Sequence, residues 1–547
     1  MLVFIHIKNI ATYLDGIDIV FQDLFWSQIQ IPKYHKTHKT KTMSFYALCF
    51  FGAMALCGAL KYREKLEADK SVADKNAPAA TMVTEEQVAF QKIYLIVYVC
   101  AFFADWLKGP YVYALYQSYG YSEGQIATLF LVGFGASGIS GPFVGAAADV
   151  FGRRRLCVAY FCIYICSALT KPINNFIILL IGRLLGGLGT SLLYTVFESW
   201  MVAEHNRRGY PQSLLDDTFA KSTLFNGLSA VCAGLIAQLG ASMLGFVGPF
   251  MVALIPLSVG LVMATTYWRD DSDDRGSSDT TSSLNGEQND DGNTGGGPGI
   301  AGAEVSEKTN GEEEPGIMST IQDALKAMNA DARIWFLGLA QALFEGAMYT
   351  FVFLWTPALC EGLTESEIKT VPYGLIFSTF MVMIMIGSSV FSVSLKIYDL
   401  ETMPYAIHAI AAACCLFTVV VLGFSYGVFL SFVLFECMCG VFFPTYGSLR
   451  AIYIPEEQRS TIMNFFRVPL NLFVVIVLVN KHSFSNELTF GLCMSSHLVS
   501  LGLWHAFTLV NAKTKGSKSG AAYSVVQKDE IDQEGDFGDV EGGDAEL

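Results

Sequence analysis

Residues 141–155 read Gly-Pro-Phe-Val-Gly-Ala-Ala-Ala-Asp-Val-Phe-Gly-Arg-Arg-Arg. The small residues let two helices approach closely where the chain turns. Asp149 is placed to pair with an arginine or to face a helix N-terminus. Arg153, Arg154 and Arg155 in succession do not cross a bilayer, and basic loops collect on the cytoplasmic side. The stretch therefore reads as a cytoplasmic turn between two membrane helices, and the rest of the chain is ordered around it.

Composition agrees with a membrane setting. The chain has 547 residues, 52% of them apolar and only 16% charged, with a mean hydropathy of +0.42. A soluble chain of this length is seldom so apolar, which points to a polytopic membrane protein, all-α. The net charge of −15 is not a surface property. Residues 269–316 carry −10 and residues 513–547 carry −5, so the remainder is neutral. A basic nucleic-acid footprint is absent. The 13 cysteines lie mostly inside apolar runs without zinc-type spacing, and read as packing residues instead of a disulfide framework or metal site. No cofactor is expected.

Apolar runs follow the quoted turn in both directions. Six fall at about 93–117, 126–148, 156–173, 176–200, 219–239 and 246–267, and six more at about 333–357, 372–395, 403–423, 427–448, 460–480 and 487–511. Each is near the ~20 residues that span a hydrocarbon core. Alternate loops carry Arg153–Arg155, Arg207–Arg208, Lys396, Arg450 with Arg459, and Lys513–Lys518, while the opposite loops hold only Lys171, Lys369 and Lys481. That is a positive-inside pattern with both ends of a six-plus-six core in the cytoplasm. The expected organisation is an N-terminal extension (1–92) with a short hydrophobic segment at 44–60, a six-helix bundle (93–268), an acidic cytoplasmic linker (269–330), a second six-helix bundle (331–511) and an acidic disordered tail (512–547). The segment 44–60 is either an extra anchoring helix or a signal-like run, and a start at Met43 instead of Met1 stays open. The linker is too polar and glycine-rich to pack a core.

The halves repeat one another. Lys221-Ser-Thr-Leu-Phe-Asn226 opens the fifth run and Arg459-Ser-Thr-Ile-Met-Asn464 the eleventh, while Phe102-Phe-Ala-Asp105 in the first aligns with Ala342-Leu-Phe-Glu345 in the seventh. Repeated halves place a binding site at their interface. Charged residues inside the runs sharpen this, because they are costly there and face a cavity or a partner. At ~1.5 Å per residue, Asp105 lies ~18 Å into the first run, Glu345 similarly in the seventh, Arg467 and Arg183 ~12 Å from their nearer faces and Glu436 ~15 Å deep. Asn226 and Asn464 are shallower, on the cytoplasmic side of that plane. Arg183 serves coupling or helix packing. Arg467, in Phe465-Phe-Arg-Val-Pro469, contacts substrate or forms an internal ion pair. Asp105, Glu345 and Glu436 are proton carriers or counter-ions to the arginines. Glu198, near the cytoplasmic end of the fourth run, is expected to reach Arg153 or Arg154 as a gate, together with Asp149.

Other patterns carry less. Prolines in or at the ends of runs, such as Pro110, Pro357 and Pro469, read as kinks. Gly133-Phe-Gly-Ala-Ser-Gly138 formally matches a nucleotide fingerprint but lacks the strand–turn–helix context, so helix packing explains it better. Neither a Walker loop nor a catalytic set is present, so an enzyme or ATP-driven pump is not expected.

Gly145 to Arg154 also matches GxxxDxxGRR, the second-to-third-helix signature of the major facilitator superfamily. Arg183-Leu-Leu-Gly-Gly-Leu-Gly189 is similar to the fourth-helix signature of proton-linked facilitators. Several longer strings resemble one branch: ADWLKGPYVYALYQ (104–117), EGQIATL (123–129), GRLLGGLGTSLLYTVFESW (182–200), QALFEGAMYTFVFLWTP (341–357), GLIFSTFM (374–381) and FFRVPL (465–470). Together they resemble the eukaryotic molybdate-anion transporters over most of residues 93–511. The resemblance implies the major facilitator fold, two six-helix bundles related by a pseudo-two-fold axis, and high-affinity uptake of the tetrahedral molybdate dianion. Residues alone give a carrier for a small solute. Arginines suit an oxyanion through their forked donors, so Arg183, Arg467, Asn226 and Asn464 are the expected substrate contacts. Partners are the lipid bilayer and the small oxyanion, with no nucleic acid, and the chain is expected to work as a monomer, in the plasma membrane. The alternatives are a carrier of sugars or organic anions and a membrane sensor that does not transport.

Overall fold

Apolar runs that enter a bilayer must satisfy every backbone polar group internally, and helices do so within one segment. The computed structural model describes residues 33–73, 84–268, 317–455 and 458–534, and among these it contains helices and no strand. The N-terminal half comprises α1 (Lys33–Ala73), α2 (Glu85–Lys108), α3 (Val112–Ser118), α4 (Glu123–Phe151), α5 (Arg153–Leu169), α6 (Phe176–Leu193), α7 (Val196–Arg207), α8 (Gln212–Leu244) and α9 (Gly248–Tyr267). After the linker come α10 (Ile317–Ala330), α11 (Ala332–Cys360), α12 (Tyr373–Ser394), α13 (Met403–Val421), α14 (Ser425–Tyr453), α15 (Arg459–Val479) and α16 (Asn486–Glu534). Eleven helical segments among the described residues are long and apolar enough to cross a membrane. One of them, Gln212–Tyr267, is the α8–α9 hairpin, and α5, at 17 residues, is too short to be counted with them.

Local signals set many of the boundaries. Capping boxes at Thr84/Gln87 and Ser122/Gln125 satisfy the orphan amides at the starts of α2 and α4. Gly109-Pro110-Tyr111 forms a 3-10 turn that divides the first span into α2 and α3. Gly152 ends α4 at φ +91°, a backbone state that costs a side chain but not glycine, and Arg153 begins α5 in the next position. The fourth span also breaks, at Tyr194 and Thr195, between α6 and α7.

The two halves are built alike. In the N-terminal half α2 packs on α8 and α9, α4 on α6, and α5 on α6 and α9. In the C-terminal half the same partners recur six spans later: α11 on α15 and α16, α12 on α14, and α13 on α14 and α16. Across the interface α8 meets α12 and α4 meets α15, which are again equivalent pairs. Small residues allow the close approaches. Gly187 of α6 sits against the Gly133 carbonyl and Ala136 of α4, and Gly387 of α12 against Gly440 of α14. The Gly133–Gly138 string is thus a helix-packing surface.

Several boundaries differ from the sequence reading. The fifth span starts at Gln212, nine residues before Lys221, because the polar turn Gln212–Asp217 is already helical. The last residues of the linker form α10, whose Ala324 and Met328 are fully buried, and α10 packs on α11 and α15. The final helix continues past 511 to Glu534. Residues 269–316 and 535–547 lie outside the described residues. The N-terminal segment is a helix: Met43–Glu67 is long and apolar enough to span. It lies on the C-terminal half against α12. Phe45 meets Tyr426 edge-on and Tyr46 meets Phe429 edge-on, and Glu67 pairs with Lys396.

Candidate functional site between the two halves

The halves touch along the side away from the basic loops. Ser378 Oγ of α12 donates to the Val231 carbonyl of α8 at 2.8 Å, and the Gly374 amide donates to Gln238 Oε1 at 3.1 Å. Tyr111 meets Tyr373 edge-on, Tyr113 and Phe130 both meet Phe353, and Lys481 lies 3.4 Å from Glu123. These contacts close the outer face. Toward the cytoplasm, residues on the facing helices are solvent-exposed, among them Phe143, Leu224, Phe225, Val468 and Phe443. The contacts between the halves named above lie away from this side, which leaves room for a cleft toward the basic loops. Tyr194 and Tyr349, 55% and 39% exposed, stand at its inner end and within electrostatic range of each other.

On the C-terminal side the cleft deepens into a cavity of about 300 Å³ lined by Gln341, Ala342, Glu345, Arg450, Met463, Phe466 and Arg467. Gln341 and Glu345 are one turn apart on α11, and Gln341 Nε2 donates to Glu345 Oε1 at 2.8 Å. Arg450 reaches in from α14 and Arg467 from α15, and both lie within electrostatic range of Glu345. Arg467 Nη1 also donates to Asn464 Oδ1, at 3.4 Å. Two guanidiniums thus face one carboxylate, leaving one net positive charge. Gly338 on α11 is needed here: a Cβ would overlap the Phe466 ring that floors the cavity.

On the N-terminal side a second polar cluster lies nearer the outer face. Tyr164 Oη donates to Asp105 Oδ1 at 2.9 Å and lies 2.9 Å from Thr190 Oγ1. Lys108 stands 3.6 Å from Asp105 and 3.3 Å above the Tyr164 ring centre. Arg183 donates from Nε to the Leu129 carbonyl at 3.0 Å and lies over the Phe130 ring at 4.7 Å. Gly133 leaves the space its guanidinium fills, since a Cβ there would stand 2.7 Å from Nη2.

The expected site residues therefore separate into groups. Glu345, Arg467 and Asn464 come together in one cavity. Asp105 and Arg183 belong to the cluster of the other half, so the two arginines do not share one set of contacts. Asn226 accepts from Trp106 Nε1 at 2.8 Å. Glu436 is 8% exposed and has no ion pair or side-chain hydrogen bond among the described residues, so it is not a counter-ion to either arginine. The Glu198 gate is not formed: Glu198 is exposed and makes no ion pair among the described residues. Arg154 Nη2 instead donates to the Thr265 carbonyl at 2.7 Å. The side chain of Asp149 lies outside the described residues.

Four polar contributors escaped the sequence reading. Lys108 follows Asp105 by three residues, the spacing that puts two side chains on one helical face. Lys171, Arg450 and Gln341 carried weaker signals, the first two because they resemble ordinary loop charges.

A family profile described as sugar transporters with 12 transmembrane segments matches residues 45–286 and 303–437. The molybdate-anion transporter of Takifugu rubripes is 35% identical over 406 residues, 72% of this chain and 79% of its own length. That of Danio rerio is 33% identical over 405 residues, with the same coverage, 72% and 79%. The Xenopus laevis protein is 30% identical over 474 residues, 83% of this chain and 92% of its own. Among solved structures, a nucleoside transporter (NupG) superposes with a TM-score of 0.53 at 11% identity, covering 78% of this chain and 99% of its own. A D-xylose–proton symporter gives 0.53 at 10% identity, covering 76% and 96%. At such identities these structures speak for the fold alone. The chain is a multi-pass membrane transporter of the major facilitator superfamily and belongs to the molybdate-anion transporter family.

Proposed function

We propose that this chain takes up molybdate with high affinity by alternating access, in the plasma membrane, and that the Arg450–Arg467 cavity is where the anion rests before release to the cytoplasm. The observation that carries this is the cavity itself. Two forked, permanently charged donors face a space of about 300 Å³, the donor type that suits a tetrahedral oxyanion. The molybdate-anion transporters to which the chain is related support the choice of anion. Asn464 orients Arg467, and Gln341 adds a neutral polar group.

Glu345 is the coupling carboxylate in this reading. Ionised, it lowers the charge of the cavity to +1; protonated, it leaves +2, which matches a dianion. Proton and anion would then enter together and leave together. The closed outer face and open cytoplasmic cleft are one end state of such a cycle.

The test is uptake of radiolabelled molybdate in cells without other importers, with wild type and Arg467→Gln at equal surface expression. Loss of a charged hydrogen bond of ~1.5–3 kcal/mol predicts an affinity loss of about 10- to 150-fold. Normal uptake by Arg467→Gln removes this arginine from the site. Accumulation of a sugar without molybdate refutes the substrate.

A further inference from the structure

The N-terminal cluster holds more positive charge than its own half neutralises. Lys171, just beyond the outer end of α5, is only 3% exposed. Its Nζ donates to the hydroxyl of Tyr116 at 3.0 Å, a neutral acceptor. No carboxylate lies within salt-bridge distance of Lys171 or Arg183 among the described residues. Arg183 spends Nε on the Leu129 carbonyl, and its two terminal nitrogens have no acceptor among those residues. Lys108, Lys171 and Arg183 lie within electrostatic range of one another, and Asp105 is the one carboxylate beside them among the described residues. Three cations against one anion leave a surplus of two. The other groups facing the cluster, Tyr116, Tyr119 and Tyr164, are neutral phenols.

An ordinary buried lysine does not look like this, and the same protein supplies the control. Lys481, 2% exposed at the outer end of the C-terminal half, donates to the Phe484 carbonyl at 3.0 Å and to Asn486 Oδ1 at 2.9 Å, with Glu123 at 3.4 Å. Lys171 has one neutral partner and two cationic neighbours. Unpaired buried charge is costly, and a lysine this near the outer water is long enough to reach it. Its retention inside calls for an anion.

We infer that Lys108, Lys171 and Arg183 form a second oxyanion-binding station, in the outer half of the N-terminal bundle and separate from the Arg450–Arg467 cavity. Its ligand is a small divalent tetrahedral oxyanion; the choice of molybdate within that class rests on the proposed function, the existence of the station does not. The station receives the anion from the outer side, and the arginine cavity takes it next.

The experiment uses the full chain in lipid nanodiscs, equilibrium dialysis with radiolabelled molybdate and, in parallel, sulfate, and thermal unfolding. Wild type is expected to bind two molybdate ions per chain. Lys171→Met loses one, with affinity there down about tenfold or more; Lys171→Arg retains it; Arg467→Gln loses the other. Without anion, Lys171→Met is expected to melt above wild type because an uncompensated charge has gone, whereas a lysine with a structural role would lower the melting temperature. Two ions still bound by Lys171→Met, or a lower melting temperature without anion, overturns the station. One ion bound by wild type and lost only in Arg467→Gln also overturns it and leaves the proposed function intact. Lys171-dependent binding of sulfate with no molybdate bound keeps the station and refutes molybdate as the cargo.

Discussion

Gly374→Ala tests whether the outer contact between the halves is the gate this structure holds shut. Gly374 starts α12 where it crosses α8, and a Cβ there would overlap the Gly234 carbonyl and stand 2.8 Å from the Gln238 backbone nitrogen. From the other helix, a Cβ on Gly234 would lie 2.5 Å from the Gly374 carbonyl and 3.0 Å from the Ser378 amide. These neighbours are backbone, so no rotamer change relieves the overlap. The helices must separate, which stretches the Gly374–Gln238 and Ser378–Val231 hydrogen bonds of 3.1 and 2.8 Å. Overpacking of this kind costs about 1–3 kcal/mol. The contact exists only while the outer face is closed, so the cost falls on that state alone and shifts the equilibrium toward the outer-open state by about 5- to 140-fold. The measurement is a spin-label distance between Asn174 and Glu365, both exposed on outer loops, after the exposed Cys162, Cys166 and Cys232 are replaced by serine. A longer population should appear in Gly374→Ala, with molybdate uptake reduced. An unchanged distance distribution in a normally folded variant refutes the gate.

Three further outcomes are expected. Glu345→Gln should flatten the pH dependence of molybdate binding: in wild type a rise in pH ionises Glu345, lowers the cavity charge and weakens binding, and the amide removes that step, as dialysis across pH would record. Asp331→Ala should lower thermal stability by ~0.5–2 kcal/mol, since its side chain caps α11 by accepting from the Arg333 amide at 2.9 Å and pairs with the Arg333 guanidinium at 2.6 Å. Burial alone would raise the Asp331 carboxyl, but the Arg333 hydrogen bonds hold it below the usual carboxylate range, so its contribution, present above the unfolded carboxylate pKa, fades as pH falls through the lowered value. Deletion of 276–314 should leave uptake largely intact, because that acidic glycine-rich composition has little apolar surface to bury; loss of uptake in a folded variant would contradict this.

The architecture was legible because lipid leaves the backbone few options. Run length marked the spans, and the Asp105/Glu345 and Asn226/Asn464 repeats marked equivalent helices. Breaks inside spans were legible only where proline marked them: Pro110 flagged the turn that divides the first span, whereas Tyr194 and Thr195 interrupt the fourth with neither proline nor glycine at the break. The membrane carboxylates and arginines were visible one by one, yet their pairing was not. Depth along a helix says how far in a charge lies but not which way it points, so Arg183 and Arg467 fell at similar depth and yet face different partners. Arg450 was taken for a loop charge because the apolar run ends at 448, while the helix carries on to Tyr453. For Glu198, too, position near a helix end gave reach toward Arg153 and Arg154 but not direction: the side chain faces solvent.

The scaffold repeats and the charge does not, and that mismatch bears on mechanism. A single anion site on the pseudo-two-fold axis would draw cations from equivalent positions on both halves. Here α6 supplies Arg183 and α14 supplies Arg450, which are equivalent spans, but Arg183 lies seven residues in from the outer end of its helix and Arg450 three residues from the cytoplasmic end of its own. The two positive clusters therefore draw on opposite ends of equivalent helices. A dianion held at one cluster is attracted by the other, so departure from the outer cluster is assisted by the inner one instead of requiring full release into an uncharged cleft. Such an arrangement favours movement of charge in steps across the low-dielectric core, where a lone divalent anion between sites would be least stable.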